Sequence, residues 1–258
     1  MEKFEQVASK ISNDIEGWLA YEAAIYTLEL LKFQNLSSFT GSLLEMGVHK
    51  GKYFSVLKYG SSEKQKLIGV DAFFERIGVP LEERWKNLAI ENIKNNLIHI
   101  WGDSDNTEIL AGLTSSFNAK DLITKTGSKY KFISVDAGHD AKNVRQDLIL
   151  AAEIMTDDGV IAADDIFNPS VPEVTQGFFE WAMLDSGSSD LAPFAYCANK
   201  LFLAKRDAHE KYHRFSSELV QSSSQNSIFD FARAHIIDNE KNNYQPLFLG
   251  SKYLRLTA

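Results

Sequence analysis

Apolar residues in this chain fall into short runs that end on a glycine or an acid, and these runs alternate with stretches of helical spacing. Ile15, Leu19, Ala23, Tyr26 and Leu30 recur on one face, which predicts a helix over about 5–33. A polar break at Asn35–Gly41 leads into Ser42–Val48, a run without polar alternation that reads as a strand buried on both faces. Further strands are predicted at Lys66–Asp71, Leu97–Asp103, Tyr130–Asp136 and Val160–Asp165. Helices are predicted between them at Gly51–Lys58, Leu81–Lys94, Leu110–Thr124 and Ala141–Met155, the last with Val144, Leu148, Ala151 and Met155 on one face. Thr156–Gly159 reads as a turn and Glu173–Leu184 as another helix. After a Gly/Ser loop at Ser186–Asp190, residues 193–198 and 201–205 form a hairpin pattern around Asn199-Lys200. Beyond 206 the pattern weakens, and only Phe229–Ile237 reads as helix.

Strands alternating with helices imply a parallel sheet covered on both faces, and right-handed crossovers make it doubly wound. The expected fold is α/β: a Rossmann-like, doubly wound, mostly parallel sheet with an antiparallel final strand. The 258 residues suit one domain, with a helical cap over 1–38, the core over 40–205 and an extension over 206–258.

A net charge of −8 gives no general attraction to nucleic acid or anionic lipid, so neither is expected as a partner. The single cysteine, Cys197, lies in an apolar run and reads as a buried structural thiol, a usage that fits a reducing cytoplasm. The first residues lack the apolar segment of a secretory signal, and no apolar stretch approaches the roughly 20 residues that span a bilayer. The long first helix and the tail are elements that subunits of a homo-oligomer could exchange.

In open parallel sheets ligands bind beyond the carboxyl ends of the strands. Every predicted parallel strand ends there on an acid: Glu45, Asp71, Asp103, Asp136 and the pair Asp164/Asp165. Glu45-Met46-Gly47-Val48-His49-Lys50-Gly51 has the form E-x-G-x-x-x-G, not the G-x-G-x-x-G of dinucleotide folds. Gly47 and Gly51 let backbone pass close to a ligand. A pyrophosphate favours a helix start free of carboxylates, whereas a ligand with a cationic sulfonium and an amino group suits Glu45. Asp71 is placed to accept from two ribose hydroxyls, and Asp103, with Ser104 as its rival, from an adenine amino group. His139, three residues after Asp136, is a candidate general base; His49 flanks the glycine loop and His99 reads as a packed core residue. Phe73 or Phe74 is a candidate to cover an adenine ring.

The run Leu43–Gly51, then Gly69-Val70-Asp71 and Gly102-Asp103, resembles the first three motifs of class I S-adenosylmethionine-dependent methyltransferases. Phe132–His139, the helix bearing Asp147, and Asp158–Asp165 resemble a subgroup with macrocin-type sugar O-methyltransferases and cephalosporin-hydroxylase-like proteins. Ala137 stands where that subgroup commonly has glycine. The resemblance covers about 40–205. It implies S-adenosylmethionine as cofactor, a small-molecule acceptor such as a sugar, and, as in metal-dependent members, Mg²⁺ held by Asp136, Asp164 and Asp165. The carboxylates suit that ion, which prefers hard oxygen ligands. His139 and Asp136 are then the catalytic residues. Three alternatives stay open: a metal-independent methyltransferase, a nicotinamide-dependent oxidoreductase, and a non-catalytic nucleoside-binding module.

Overall fold

The computed structural model describes residues 2–76, 79–80, 82–185, 187, 190–222 and 248–249. Its elements are α1 (Glu2–Asp14), α2 (Tyr21–Leu36), β1 (Ser42–Met46), α3 (Lys52–Leu57), β2 (Leu67–Asp71), β3 (Phe74–Arg76), β4 (Val79–Pro80) and α4 (Glu83–Trp101). There follow β5 (Thr107–Ala111), α5 (Ala119–Thr126), β6 (Tyr130–Val135), α6 (Ala141–Ile154), β7 (Met155–Ala163), α7 (Pro172–Leu184), β8 (Leu191–Cys197), β9 (Lys200–Lys205), α8 (Arg206–Ser222) and β10 (Phe248–Leu249). Eight strands form one sheet in the order β10-β8-β9-β7-β6-β1-β2-β5, while β3 and β4 make a separate small hairpin. The β5-β2-β1-β6-β7 core is parallel, and β9 inserts antiparallel between β7 and β8. This is the doubly wound, mostly parallel sheet with an antiparallel strand late in the chain that the pattern predicts.

Alternation along each strand feeds two cores. Leu43, Leu67, Phe132 and Val160 face α1, α2, α3 and α8, while Leu44, Ile68, Ile133 and Ile161 face α5, α6 and α7. Both neighbours of each pair are 0% exposed, which is why the central strands are apolar without a polar alternation. Register then places the strand ends level: Met46 pairs with Val70 and Val135, and Val135 with Ala163.

Several sequence expectations fail, among them the turn expected at Thr156–Gly159, which lies inside β7. The first predicted helix is two, α1 and α2, separated at residues 15–20. The predicted third strand at Leu97–Asp103 is the end of α4. Ile93 and Leu97 are its buried stripe, while Ile98 is 47% exposed, and Gly102 (φ 89°) closes the helix with its N–H on the Ile98 carbonyl at 2.8 Å. The true third strand is β5, which overlaps only the first two residues of the helix predicted over 110–124; as a sheet edge it opens on Thr107 and Glu108 and buries only Ile109, so its apolar run is short. The helix α8, not predicted, buries Ala208, Tyr212, Ser216 and Val220 at four-residue spacing, two of them polar and therefore silent in the pattern. The helix expected at 229–237 lies outside the described residues. Among the described residues no helix is long and apolar enough to cross a membrane.

Candidate active site

The parallel strands end together, and the chain turns at each end open a cleft of about 1280 Å³. Glu45, Asp71, Asp136, Asp164 and Asp165 all line it, so the structure brings five of the predicted acids to one rim. The ladder continues one step past the strands and fixes the acids: Gly47 N–H donates to Val70, Asp136 N–H to Met46 and Asp164 N–H to Val135, at 2.8–3.0 Å. Among the described residues, four of the seven non-glycine residues with positive φ, namely His49, Phe73, Asp165 and Ala198, also line the cleft. Backbone strain is thus gathered along the cleft, as at functional sites generally.

Gly47 lies at φ 85°, and a Cβ there would sit 1.9 Å from the Asp136 carbonyl oxygen, so only glycine fits. Gly51 (φ 81°) starts α3, with Ile93 2.7 Å from where its Cβ would stand. Between them the Asp71 carboxylate accepts from Val48 N–H and His49 N–H at 2.7 Å each, and from Phe73 N–H at 2.6 Å. Asp71 therefore clamps the glycine loop against the end of β2. Phe73, 5% exposed, lines the cleft beside it; the side chain of Phe74 lies outside the described residues.

Glu45 is 2% exposed, and its Oε2 has no hydrogen-bond partner. Burial first, then the nearby Asp136 carboxylate, pushes its pKa well above the usual carboxylate range. Asp136 is raised by burial and by Asp164. Asp164 is held below its ordinary value against the penalty of its own burial, because the Lys200 ammonium lies 2.6 Å from its Oδ2. The His139 pKa is raised by Asp136, with Asp165 adding to the effect; its Nε2 lies 3.9 Å from Asp136 Oδ1 and 3.6 Å from Asp165 Oδ2. Asp165 is oriented by Asn168 Nδ2 and Asn199 Nδ2, which donate to its Oδ1 at 2.7 and 3.1 Å. The cleft thus holds more carboxylates than cations, and two of them gain by keeping protons. A cationic guest relieves that excess, which is the requirement of a sulfonium or a metal ion.

Asp136, His139 and Asp165 each offer one donor atom within 4.8 Å of the others. This set differs from the expected Asp136, Asp164 and Asp165, since Asp164 is engaged by Lys200. Two carboxylate oxygens and one imidazole nitrogen fit a divalent ion such as Mg²⁺ or Mn²⁺.

Asp103 and Ser104 do not join the others. They follow the end of α4 and precede β5, away from the cleft, and Asp103 pairs with Lys58 at 2.9 Å and accepts from Asp105 N–H at 2.9 Å. The chain at the carboxyl end of β5 is instead Gly112–Ser115, which lines the cleft. His99 is on α4, exposed and bonded to Asp14 at 2.7 Å, not packed in the core. Cys197 is buried, as expected, and burial raises its thiol pKa.

Two contributors escaped the sequence reading. Lys200 was legible only as a hairpin residue, but β9 runs antiparallel and so begins at the rim where the parallel strands end. Trp18, 92% exposed, reaches the cleft from the break between α1 and α2 and stacks on His49 with ring centroids 5.9 Å apart. Lys52 pins that break through the Ser12 and Gly17 carbonyls at 3.0 Å each.

Residues 44–166, which include the glycine loop and all five rim acids, match a family described as a methyltransferase domain (Methyltransf_24). No curated protein matches the chain. Among solved structures, the O-methyltransferase NovP superposes with a TM-score of 0.54 at 12% identity, covering 78% of this chain and 88% of its own. The apo structure of CalS11, a TDP-rhamnose 3′-O-methyltransferase of calicheamicin biosynthesis, gives 0.52 at 13% identity over 79% and 93%. An O-methyltransferase from Bacillus cereus in complex with SAH gives 0.52 at 18% identity over 78% and 88%. At such identities the likeness is one of fold.

Proposed function

We propose that this chain is a class I S-adenosylmethionine-dependent methyltransferase that methylates a hydroxyl oxygen on a small polyhydroxylated molecule such as a sugar. The observation that carries this reading is Glu45, a buried carboxylate with an unpartnered oxygen at the floor of an acid-lined cleft. The methionine end of the cofactor brings an ammonium that satisfies that oxygen and a sulfonium that the surrounding acids favour.

Glu45 then receives the amino group, with the Gly47–Gly51 loop passing beneath it. Asp71, whose oxygens keep free lone pairs beyond their backbone donors, accepts from the ribose, and the Gly112–Ser115 turn borders the base. Bound S-adenosylmethionine supplies a methyl group on a cationic sulfur, so no separate activation of the donor is needed and the protein's task is orientation and electrostatics. His139 takes the acceptor's hydroxyl proton at Nε2. Its raised pKa makes it a stronger base and moves its availability to higher pH, so the rate should climb with pH across that titration. Asp136, His139 and Asp165 are the residues that would hold a divalent ion where one is bound; His139 would then be a ligand and not the base, and the ion would lower the pKa of a bound hydroxyl so that its proton passes to water. Vicinal oxygens on a polyol are hard donors of the kind that such an ion would take.

The reading is tested in two steps. Calorimetry with S-adenosylhomocysteine should show binding; absence of heat removes the enzyme reading. A methyl-transfer assay over sugar nucleotides and polyols, with and without chelator, should then show transfer that chelation suppresses. CalS11 acts on TDP-rhamnose by its own description, which makes sugar nucleotides the first acceptors to try. Full rate after chelation removes the metal and leaves the methyltransferase.

A further inference from the structure

The buried ammonium of Lys200 has no part in the steps above, yet it sits among the acids those steps use. Lys200 is 3% exposed. Its Nζ lies 2.6 Å from Asp164 Oδ2, 3.9 Å from Asp136 Oδ2 and 4.1 Å from the centroid of the Tyr53 ring. The Tyr53 hydroxyl is bonded to Thr27 Oγ1 at 2.9 Å, so the ring is held in place from α2. Two carboxylates and a π face therefore surround an ammonium with three donors, and the turn from Cys197 to Lys200 delivers it. The same turn supplies Asn199 to Asp165. Adjacent acids are thereby sent in different directions: Asp164 to an internal cation, Asp165 to the open cleft beside His139.

We infer that Lys200 is a tethered cation that occupies the position between Asp136 and Asp164, and so confines a divalent ion to the Asp136–His139–Asp165 edge. Ligand oxygens lie about 2.0–2.6 Å from Mg²⁺ or Ca²⁺. An ion bridging Asp136 and Asp164 at such distances would coincide with or abut Nζ, and two cations in one buried space repel. Lys200 is thus a positioning residue that sets which carboxylates coordinate and how tightly. The inference rests on the metal reading of the cleft but makes a separate demand, namely that Asp164 is silent toward metal while Lys200 is present.

The probe is Mn²⁺ alone, its binding to the full chain followed by the paramagnetic resonance signal of the free ion, with S-adenosylhomocysteine binding as the check of folding. Asp164→Asn in the wild-type background should change the Mn²⁺ Kd by less than about threefold. Lys200→Met should tighten it at least tenfold, and Lys200→Met/Asp164→Asn should lose that gain, because Asp164 is the ligand released; the cycle isolates the coupling. A tenfold weakening by Asp164→Asn alone overturns the inference, as does a Lys200→Met variant that folds and binds Mn²⁺ no better than wild type. Should Lys200→Met fail to fold, the Asp164→Asn result decides. Mn²⁺ uptake by Lys200→Met but not by wild type upholds the tethered cation and removes the metal from the proposed function; uptake by neither removes both.

Discussion

Asp103 and Asp136 look alike in the sequence, each an acid at the end of an apolar run, and the fold sends them to different regions. Asp103 lies ahead of β5, its side chain 51% exposed, where Lys58 holds its pKa below the ordinary value. Asp136 lies at the rim beyond β6, where burial and Asp164 raise its pKa. At the first position the charge is stable and satisfied, so nothing more is needed from a ligand. At the second it is costly, and a cation or a proton must offset it. The contrast shows that an acid becomes chemistry through what packs around it, not through its place after an apolar run.

The largest expected effect tests that contrast. Asp136→Asn should lower methyl transfer about 10³-fold, roughly 4 kcal/mol of transition-state stabilisation, with little change in S-adenosylhomocysteine affinity. Asp103→Asn should leave the rate within about twofold and stability within about 1 kcal/mol, as for exposed ion pairs generally. Steady-state transfer of a labelled methyl group reads both. Similar losses from the two substitutions would break the comparison.

The next compares glycines of the same two regions. Gly47 and Gly102 both have positive φ, at 85° and 89°. A Cβ at Gly47 meets backbone at 1.9 Å, whereas one at Gly102 meets nothing within 4 Å. Gly102→Ala should therefore cost only the left-handed strain, about 1 kcal/mol, while Gly47→Ala adds overpacking for a total of about 3 kcal/mol or more. Thermal melts should separate them by several degrees, since about 1 kcal/mol shifts the midpoint by about 2–4 °C at this size.

A smaller effect is expected at Glu45, whose proposed partner is the amino group of the cofactor. Glu45→Gln keeps the shape and removes the charge that meets the amino group. S-Adenosylhomocysteine affinity should fall about ten- to a hundredfold, the worth of a charge-assisted hydrogen bond. Unchanged affinity by calorimetry would place the amino group elsewhere.

The same contrast explains what could be read from the chain in advance. The central strands were legible because burial on both faces demands uninterrupted apolar runs, as in Leu43-Leu44 and Phe132-Ile133. The rim acids Glu45, Asp71, Asp136, Asp164 and Asp165 were legible because parallel strands must end on one side. The edge was not: β5 opens on Thr107-Glu108 and buries only Ile109, so the apolar end of α4 imitated a strand and carried Asp103 and Ser104 with it. Lys200 was hidden for a different reason. A lysine after Asn199 in a hairpin reads as a solvated turn, and only the antiparallel direction of β9 turns it inward to Asp164. Pairing of distant strands carries that information, and no local pattern records it.

The smallest effect concerns an acid that shares the burial of the rim residues but not their cleft. Asp147, on α6, is 2% exposed and its Oδ2 has no partner. Burial raises its pKa to about 6, opposed by a hydrogen bond with Thr114. Between about pH 4 and 6 the folded state then binds more protons than the unfolded one, so stability is lost as pH rises through that window and is fully present below it. A shift from 3.8 to about 6 sets a ceiling of about 3 kcal/mol. Relaxation around the carboxylate should reduce this to about 1 kcal/mol. Asp147→Asn removes the charge, so urea unfolding should find the variant more stable than wild type at pH 7.5 and no more stable at pH 4. Glu45 and Asp136 line the cleft and Asp147 does not, so its gain in stability should come without loss of S-adenosylhomocysteine binding. A gain of equal size at both pH values would mean that Asp147 has the same pKa folded and unfolded, so that burial does not shift it, and a loss of binding would join α6 to the cofactor site.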